Sequence, residues 1–181
     1  TTLNLSYGSK IVVDGAGFLL NNEMDDFSAK ENEPNFYGLV GRKANSIEPG
    51  KRILSSMTPT IVLKDGEPLL VTGSPGGSTI ITTTLQVILN VIDHGMDLDK
   101  AVASPRFHHQ WRPDRVIHEE SAFSEETKEE LLQMGHRNLN TIPTYYGRGI
   151  GDANSVMTLT NGFIGVSAPR NAGGAKGVLV K

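Results

Sequence analysis

The chain has 181 residues, room for one domain with a sizeable core, and a net charge of −3 with both signs mixed along it. No long basic run offers itself to a nucleic-acid backbone, and the lack of cysteine excludes disulfides and zinc–thiolate sites while leaving the redox compartment open. The apolar run Leu85 to Ile92 is too short to span a bilayer and carries Gln86 and Asn90.

From the N-terminus, Ile11 to Val13 and Gly17 to Leu20 read as strands around the turn Asp14-Gly15-Ala16. Ser28 to Lys51 is polar and rich in Asn, Gly and Pro, a long loop of the kind that often serves as a lid. Thr60 to Leu63 and Pro68 to Thr72 form a hairpin around Asp65-Gly66, because both central residues of such a turn need positive φ. Gly73 to Gly77 then leads into a helix from about Ser78 to His94, with Gly95 as its cap, and Leu98 to Ala103 is a short helix stopped before Pro105. Ser124 caps a further helix that has Glu125 and Glu126 in its first turn and Gly135 at its end. Ser155 to Leu159 and Phe163 to Ser167 are strands around Asn161-Gly162. The sum is an α+β domain with mainly antiparallel strands.

Three polar clusters carry chemistry. In Asn21-Asn22-Glu23-Met24-Asp25-Asp26-Phe27, acids and amides at a strand end can hold an ammonium group, although a solvated turn or a calcium loop is the alternative. Ser55-Ser56 can donate two hydroxyls to a carboxylate, or be no more than a loop. Pro75-Gly76-Gly77 at a helix start offers bare N–H groups suited to an oxyanion; it lacks the Lys of a phosphate loop, and a plain tight turn is the competing reading. His108-His109 has no third ligand at metal-binding spacing and reads as packing beside Phe107 and Trp111. Asn171 to Ala175 resembles a nucleotide loop only by its glycines, without the strand–helix context.

Four blocks in order, Leu19 to Phe27, Lys51 to Thr60, Gly73 to Gly77 and Ala103 to Trp111, resemble the small subunit of the γ-glutamyltranspeptidases over nearly the whole chain. The resemblance implies a four-layer αββα sandwich of the Ntn-hydrolase type, from a precursor that cleaves itself into large and small subunits. It implies γ-glutamyl transfer or hydrolysis on glutathione and similar donors through a threonine-bound intermediate, without a cofactor or metal, in a periplasmic or extracellular setting. The partners it implies are the large subunit and the γ-glutamyl substrate.

By the same resemblance, Asp26 pairs with the substrate α-ammonium, aided by Asn4 and Glu23, while Ser55 and Ser56 hold the α-carboxylate. Gly76 and Gly77 form the oxyanion hole, and Tyr37 is the covering aromatic of a lid over Glu31 to Arg42. The family's nucleophile is the small subunit's N-terminal Thr, whose own α-amine can act as base with a reference pKa of roughly 7.7–8.0. This chain begins Thr1-Thr2 without the family's following His, and Leu3 to Ser9 matches a segment found one hairpin further along. That register makes Thr2 the threonine that hydrogen-bonds the nucleophile and places the nucleophile upstream of residue 1. A family acylase acting on cephalosporins or poly-γ-glutamate, and a homologue that binds γ-glutamyl compounds without catalysis, are the alternative readings.

Overall fold

The computed structural model describes residues 2–144 and 149–177. They fall into two compact units, one reaching to Met57 and the other beginning at Thr58.

The first unit is built from turns. The two strands expected near its start come down to one bridge, Val12 to Leu19, closed by Leu20 N–H to Ile11 O (2.9 Å) and Val13 N–H to Phe18 O (3.0 Å). The apolar side chains there, such as Ile11, Val12 and Phe18, are exposed, so no buried face extends the pairing. The 28–51 stretch is not featureless: bridges join Ser28 to Ser46 and Pro34 to Val40, and Lys43–Asn45 is a 3₁₀ turn.

The second unit carries the regular structure. Strand β1 (Thr60–Lys64) and β2 (Glu67–Gly73) form the expected hairpin, with Asp65 and Gly66 at φ +54° and +86°. With β6 (Asn154–Leu159) and β7 (Gly162–Ser167) they make a four-stranded antiparallel sheet in the order β1-β2-β6-β7. Helices α1 (Thr79–Ile92) and α2 (Leu98–Ala103) pack on one face of it. Leu70, Val87, Leu98, Val102, Ala153 and Ala168 form the core between them. Full burial of each larger aliphatic side chain stabilises the layer pair by about 1.5–3 kcal/mol. Helix α1 stops at Ile92 with Asp93 as its cap, two residues short of the expected His94, and Gly95 follows at φ +62°; Ser124 Oγ accepts from Thr127 N–H (3.1 Å) to cap helix α3 (Glu125–Gln133) where the sequence puts it.

A second, three-stranded sheet has no counterpart in the sequence reading. It pairs β3 (Phe107–His108) antiparallel with β4 (Val116–Glu119), and β4 parallel with β5 (Leu139–Ile142). These strands are only two to four residues long, and their buried positions hold His108, His118 and Glu119 beside a single apolar residue, Val116. No alternation of apolar and polar residues announces them.

Candidate functional site

In the first unit, a single 3₁₀ turn, Glu23–Asp26, makes the arrangement. Three residues per turn put side chains at i and i+3 on the same side, so Glu23 and Asp26 project together. The turn is held by its amides. Asn21 Oδ1 accepts Glu23 N–H (3.1 Å), Asn22 Oδ1 accepts Asn4 N–H (2.9 Å), and Asn45 Nδ2 donates to Asp26 O (2.7 Å). Asn4 then donates its side-chain amide to Asp26 Oδ1 (3.1 Å), and Ser56 donates its hydroxyl to Glu23 Oε2 (2.8 Å).

Both carboxyl groups are buried, at 3% exposure for Glu23 and 8% for Asp26. Each keeps one oxygen, Glu23 Oε1 and Asp26 Oδ2, buried without a hydrogen-bond partner, and neither group pairs with a cation among the described residues. Burial pushes the Glu23 carboxyl above its ordinary value of 4.5; the Ser56 hydroxyl works against this, and the neighbouring Asp26 adds to it. Tyr37 shares this environment. Burial raises its phenol, a hydrogen bond from the Leu5 backbone opposes this, and the charges of Asp26, Glu23 and Asp25 raise it further. Two adjacent buried acids with unfilled acceptors are chemically a receptor for a cation with several N–H donors.

Asn4, Glu23, Asp26, Ser56 and Tyr37 converge in the first unit. Ser55 is exposed and makes no hydrogen bond to either acid; its hydroxyl has a long contact to Met57 O (3.4 Å). Ser56 spends its one O–H on Glu23, so it must release that bond to donate to a carboxylate. Thr2 is half-buried, and Thr1 lies outside the described residues.

Gly76 and Gly77 lie in the second unit, just ahead of α1, at φ +142° and +57°. Their carbonyls turn into the helix: Gly76 O accepts Thr79 N–H (3.1 Å) and Gly77 O accepts Ile80 N–H (3.2 Å). Among the described residues neither glycine N–H is donated to a protein acceptor. Two consecutive free N–H groups at the positive end of a helix form an anion receptor. His108 has both ring nitrogens occupied, Nδ1 by Thr82 Oγ1 (2.8 Å) and Nε2 by Gln110 Oε1 (2.8 Å), which is a packing role.

The sequence reading gave no role to a buried ionic cluster in the second unit. Glu119, fully buried, pairs with Arg170; its Oε1 also accepts Ile150 N–H (2.8 Å) and its Oε2 the Arg106 N–H (2.9 Å). Arg106 and Arg170 give their remaining donors to backbone carbonyls, among them Ile150 O (2.7 Å) and Ser104 O (2.9 Å). Burial and the charge of Arg170 bring the Arg106 guanidinium down to about 10, against the pull of Glu119 and Asp152.

The γ-glutamyltranspeptidase family model matches residues 1–178. The glutathione hydrolase proenzyme of Escherichia coli is 49% identical over 171 residues, 94% of this chain and 28% of the relative. That of Pseudomonas aeruginosa is 46% identical over 99% of this chain and 31% of the relative. The chain thus spans less than a third of the length of these relatives. A crystal structure of a Helicobacter pylori γ-glutamyltranspeptidase mutant superimposes with a TM-score of 0.83 at 52% identity, covering 94% of this chain and 90% of that one. The Pseudomonas nitroreducens γ-glutamyltranspeptidase complexed with L-DON gives 0.82 at 44% identity, covering all of this chain and 91% of that one. The α+β fold of the Ntn-hydrolase type is the fold of this chain.

Proposed function

The chain belongs to the γ-glutamyltranspeptidase family, and from that premise we infer that its two buried acids hold the amino-acid end of a γ-glutamyl donor such as glutathione. The observation that carries this reading is the pair of unpartnered oxygens, Glu23 Oε1 and Asp26 Oδ2, beside Asn4 and Tyr37. An α-ammonium group supplies the positive charge and the N–H donors that these atoms lack. Ser55 and Ser56 take the α-carboxylate, and a headgroup held at both charges presents its γ-carbonyl for attack.

The reaction is acyl transfer. A threonine hydroxyl adds to the γ-carbonyl, with the nucleophile's own α-amine taking its proton. Negative charge gathers on the carbonyl oxygen, and the N–H groups of Gly76 and Gly77 receive it. The amine leaves with the proton, and water or an amino acid then releases the γ-glutamyl group. The register of Leu3 to Ser9 gives Thr2 the task of hydrogen-bonding that nucleophile.

The same reading makes the chain the small-subunit part of a precursor, with the large subunit as partner. In support, one face of the four-stranded sheet carries exposed Ile61, Val71, Val156 and Phe163, the last 76% exposed. An apolar face of this kind calls for a covering layer. The chain refolded alone is expected to show no γ-glutamyl hydrolysis, and turnover by the isolated chain would overturn the need for the partner.

The test of the function uses the complete, matured protein with a γ-glutamyl anilide and the matching glutaryl anilide, which lacks the ammonium. A preference of roughly thirtyfold or more for the γ-glutamyl compound is expected from the loss of a buried charge partner. Equal rates would favour an acylase of the cephalosporin type instead. The raised Glu23 carboxyl adds a pH signature. An ammonium binds the ionised carboxylate, so KM should rise as pH falls through a value above 4.5, the ordinary pKa of this group. Glu23→Gln should remove that limb, and a KM profile identical in the variant would count against the assignment.

A further inference from the structure

The orientation of an N–H group in a peptide unit is set by whatever holds the carbonyl of the same unit, because the unit is planar and trans. The unit that bears the Gly76 N–H has Pro75 as its carbonyl, and Ser74 Oγ donates to Pro75 O (2.6 Å). The unit that bears the Gly77 N–H has Gly76 as its carbonyl. There Thr79 Oγ1 donates to Gly76 O (2.8 Å), alongside the Thr79 N–H. Each of the two N–H groups assigned to the oxyanion thus has a hydroxyl on the far side of its own peptide, joined at Gly76 O by the Thr79 N–H.

Ser74 is in turn fixed from behind. Its Oγ accepts Asp152 N–H (2.8 Å). The segment Gly149 to Asp152 presses so closely that a Cβ on Gly151, at φ +64°, would lie 2.7 Å from Ser74 Oγ and 2.5 Å from Thr83 Oγ1. A Cβ on Gly76 would lie 3.4 Å from Gly151 Cα. Ile150, one residue earlier, is clamped at both backbone groups by Glu119 and Arg106. A chain of contacts therefore runs from the buried ionic cluster through Ile150 and Asp152 to the Ser74 hydroxyl and the Pro75 carbonyl.

We propose that Ser74 and Thr79 are positioning residues whose hydroxyls aim the Gly76 and Gly77 N–H groups at the oxyanion, with Gly151 glycine so that its segment can back Ser74. This rests on the oxyanion role inferred above for the two glycines. A peptide that loses its hydroxyl is held less firmly, the Gly76 carbonyl then by the Thr79 N–H alone, and its N–H can turn from the developing charge while the headgroup contacts within the first unit stay as they are. The loss falls on the transition state and not on ground-state binding.

The test compares Ser74→Ala, Thr79→Val, Thr79→Ser and Gly76→Val in the complete, matured protein. Three quantities are read: kcat and KM for a γ-glutamyl anilide, inhibition by glutamate, and inhibition by the γ-boronic acid analogue of glutamate, whose boron becomes a tetrahedral anion on adding the nucleophile. Ser74→Ala and Thr79→Val should lower kcat roughly tenfold to hundredfold and weaken the boronate by a similar factor. KM and glutamate inhibition should stay within about twofold, and Thr79→Ser, which keeps the hydroxyl, should restore kcat. Thr79 is half-buried and Val nearly matches its shape, so this variant carries the test if Ser74→Ala does not mature. Unchanged kcat in the hydroxyl variants, with loss in Gly76→Val, would overturn the positioning role alone. Unchanged kcat in Gly76→Val as well would remove the oxyanion reading beneath it. Equal loss of glutamate and boronate affinity would mark the hydroxyls as general structural supports and also overturn the proposal.

Discussion

Glu119→Gln is expected to lower the stability of the second unit by about 3–5 kcal/mol, the cost of removing one partner from a buried ion pair. Glu119 is fully buried and accepts from the Arg170 guanidinium and from the backbone N–H groups of Ile150 and Arg106. An amide in its place turns a donor toward Arg170 and leaves two guanidiniums, at 1% and 2% exposure, with no anion between them. The reading is the urea midpoint of the complete protein together with hydrogen exchange at the Ile150 amide, which should lose protection. A midpoint and an exchange rate equal to wild type would show that the cluster is not what holds this region.

The pH dependence has a definite sign. Burial pushes the Glu119 carboxyl up, but the hydrogen bonds from Arg170, Ile150 and Arg106 and the charge of Arg170 outweigh it, so the group ends below its ordinary 4.5. A depressed carboxyl contributes stability that is present above the unfolded value and is lost as pH falls through the folded one. Acid unfolding below pH 4.5 should therefore be shallower in Glu119→Gln, which has already lost that contribution.

Local backbone requirements are legible in this sequence, and contacts between distant residues are not. Asp65-Gly66, Gly95 and Ser124 announce their turn, stop and cap, because each meets a local backbone requirement that few residues can meet. The acid pair was legible as a cluster in Glu23 to Asp26, yet the 3₁₀ turn that stacks Glu23 on Asp26 was not, since one such turn leaves no periodicity. The sequence offers Ser56 as a carboxylate donor, while its bond to Glu23 depends on a contact 33 residues away. The three-stranded sheet and the cluster around Glu119 were invisible for the same reason. Arg106, Glu119 and Arg170 are each ordinary surface residue types, and only the fold makes them neighbours.

Asp26→Ala is expected to cost about 2–5 kcal/mol in kcat/KM for a γ-glutamyl anilide, the range for removing one member of a buried charge pair. At about 1.4 kcal/mol per factor of ten this is a loss of roughly thirtyfold to several thousandfold. The variant also strips Asn4 Nδ2 of its acceptor, so part of any loss could come from a loosened turn and not from the missing charge. The glutaryl anilide separates the two. It has no ammonium, so a pure charge effect leaves its rate unchanged in Asp26→Ala, and the wild-type preference for the γ-glutamyl compound collapses. A loosened turn would slow both substrates alike. Asp26→Asn refines the distinction, because its amide can still accept from Asn4 while carrying no charge, and it should fall with Asp26→Ala on the γ-glutamyl substrate. If Asp26→Ala instead retained the full wild-type preference, the ammonium would have to be held elsewhere, and the unfilled oxygen of Asp26 would lose its assigned ligand.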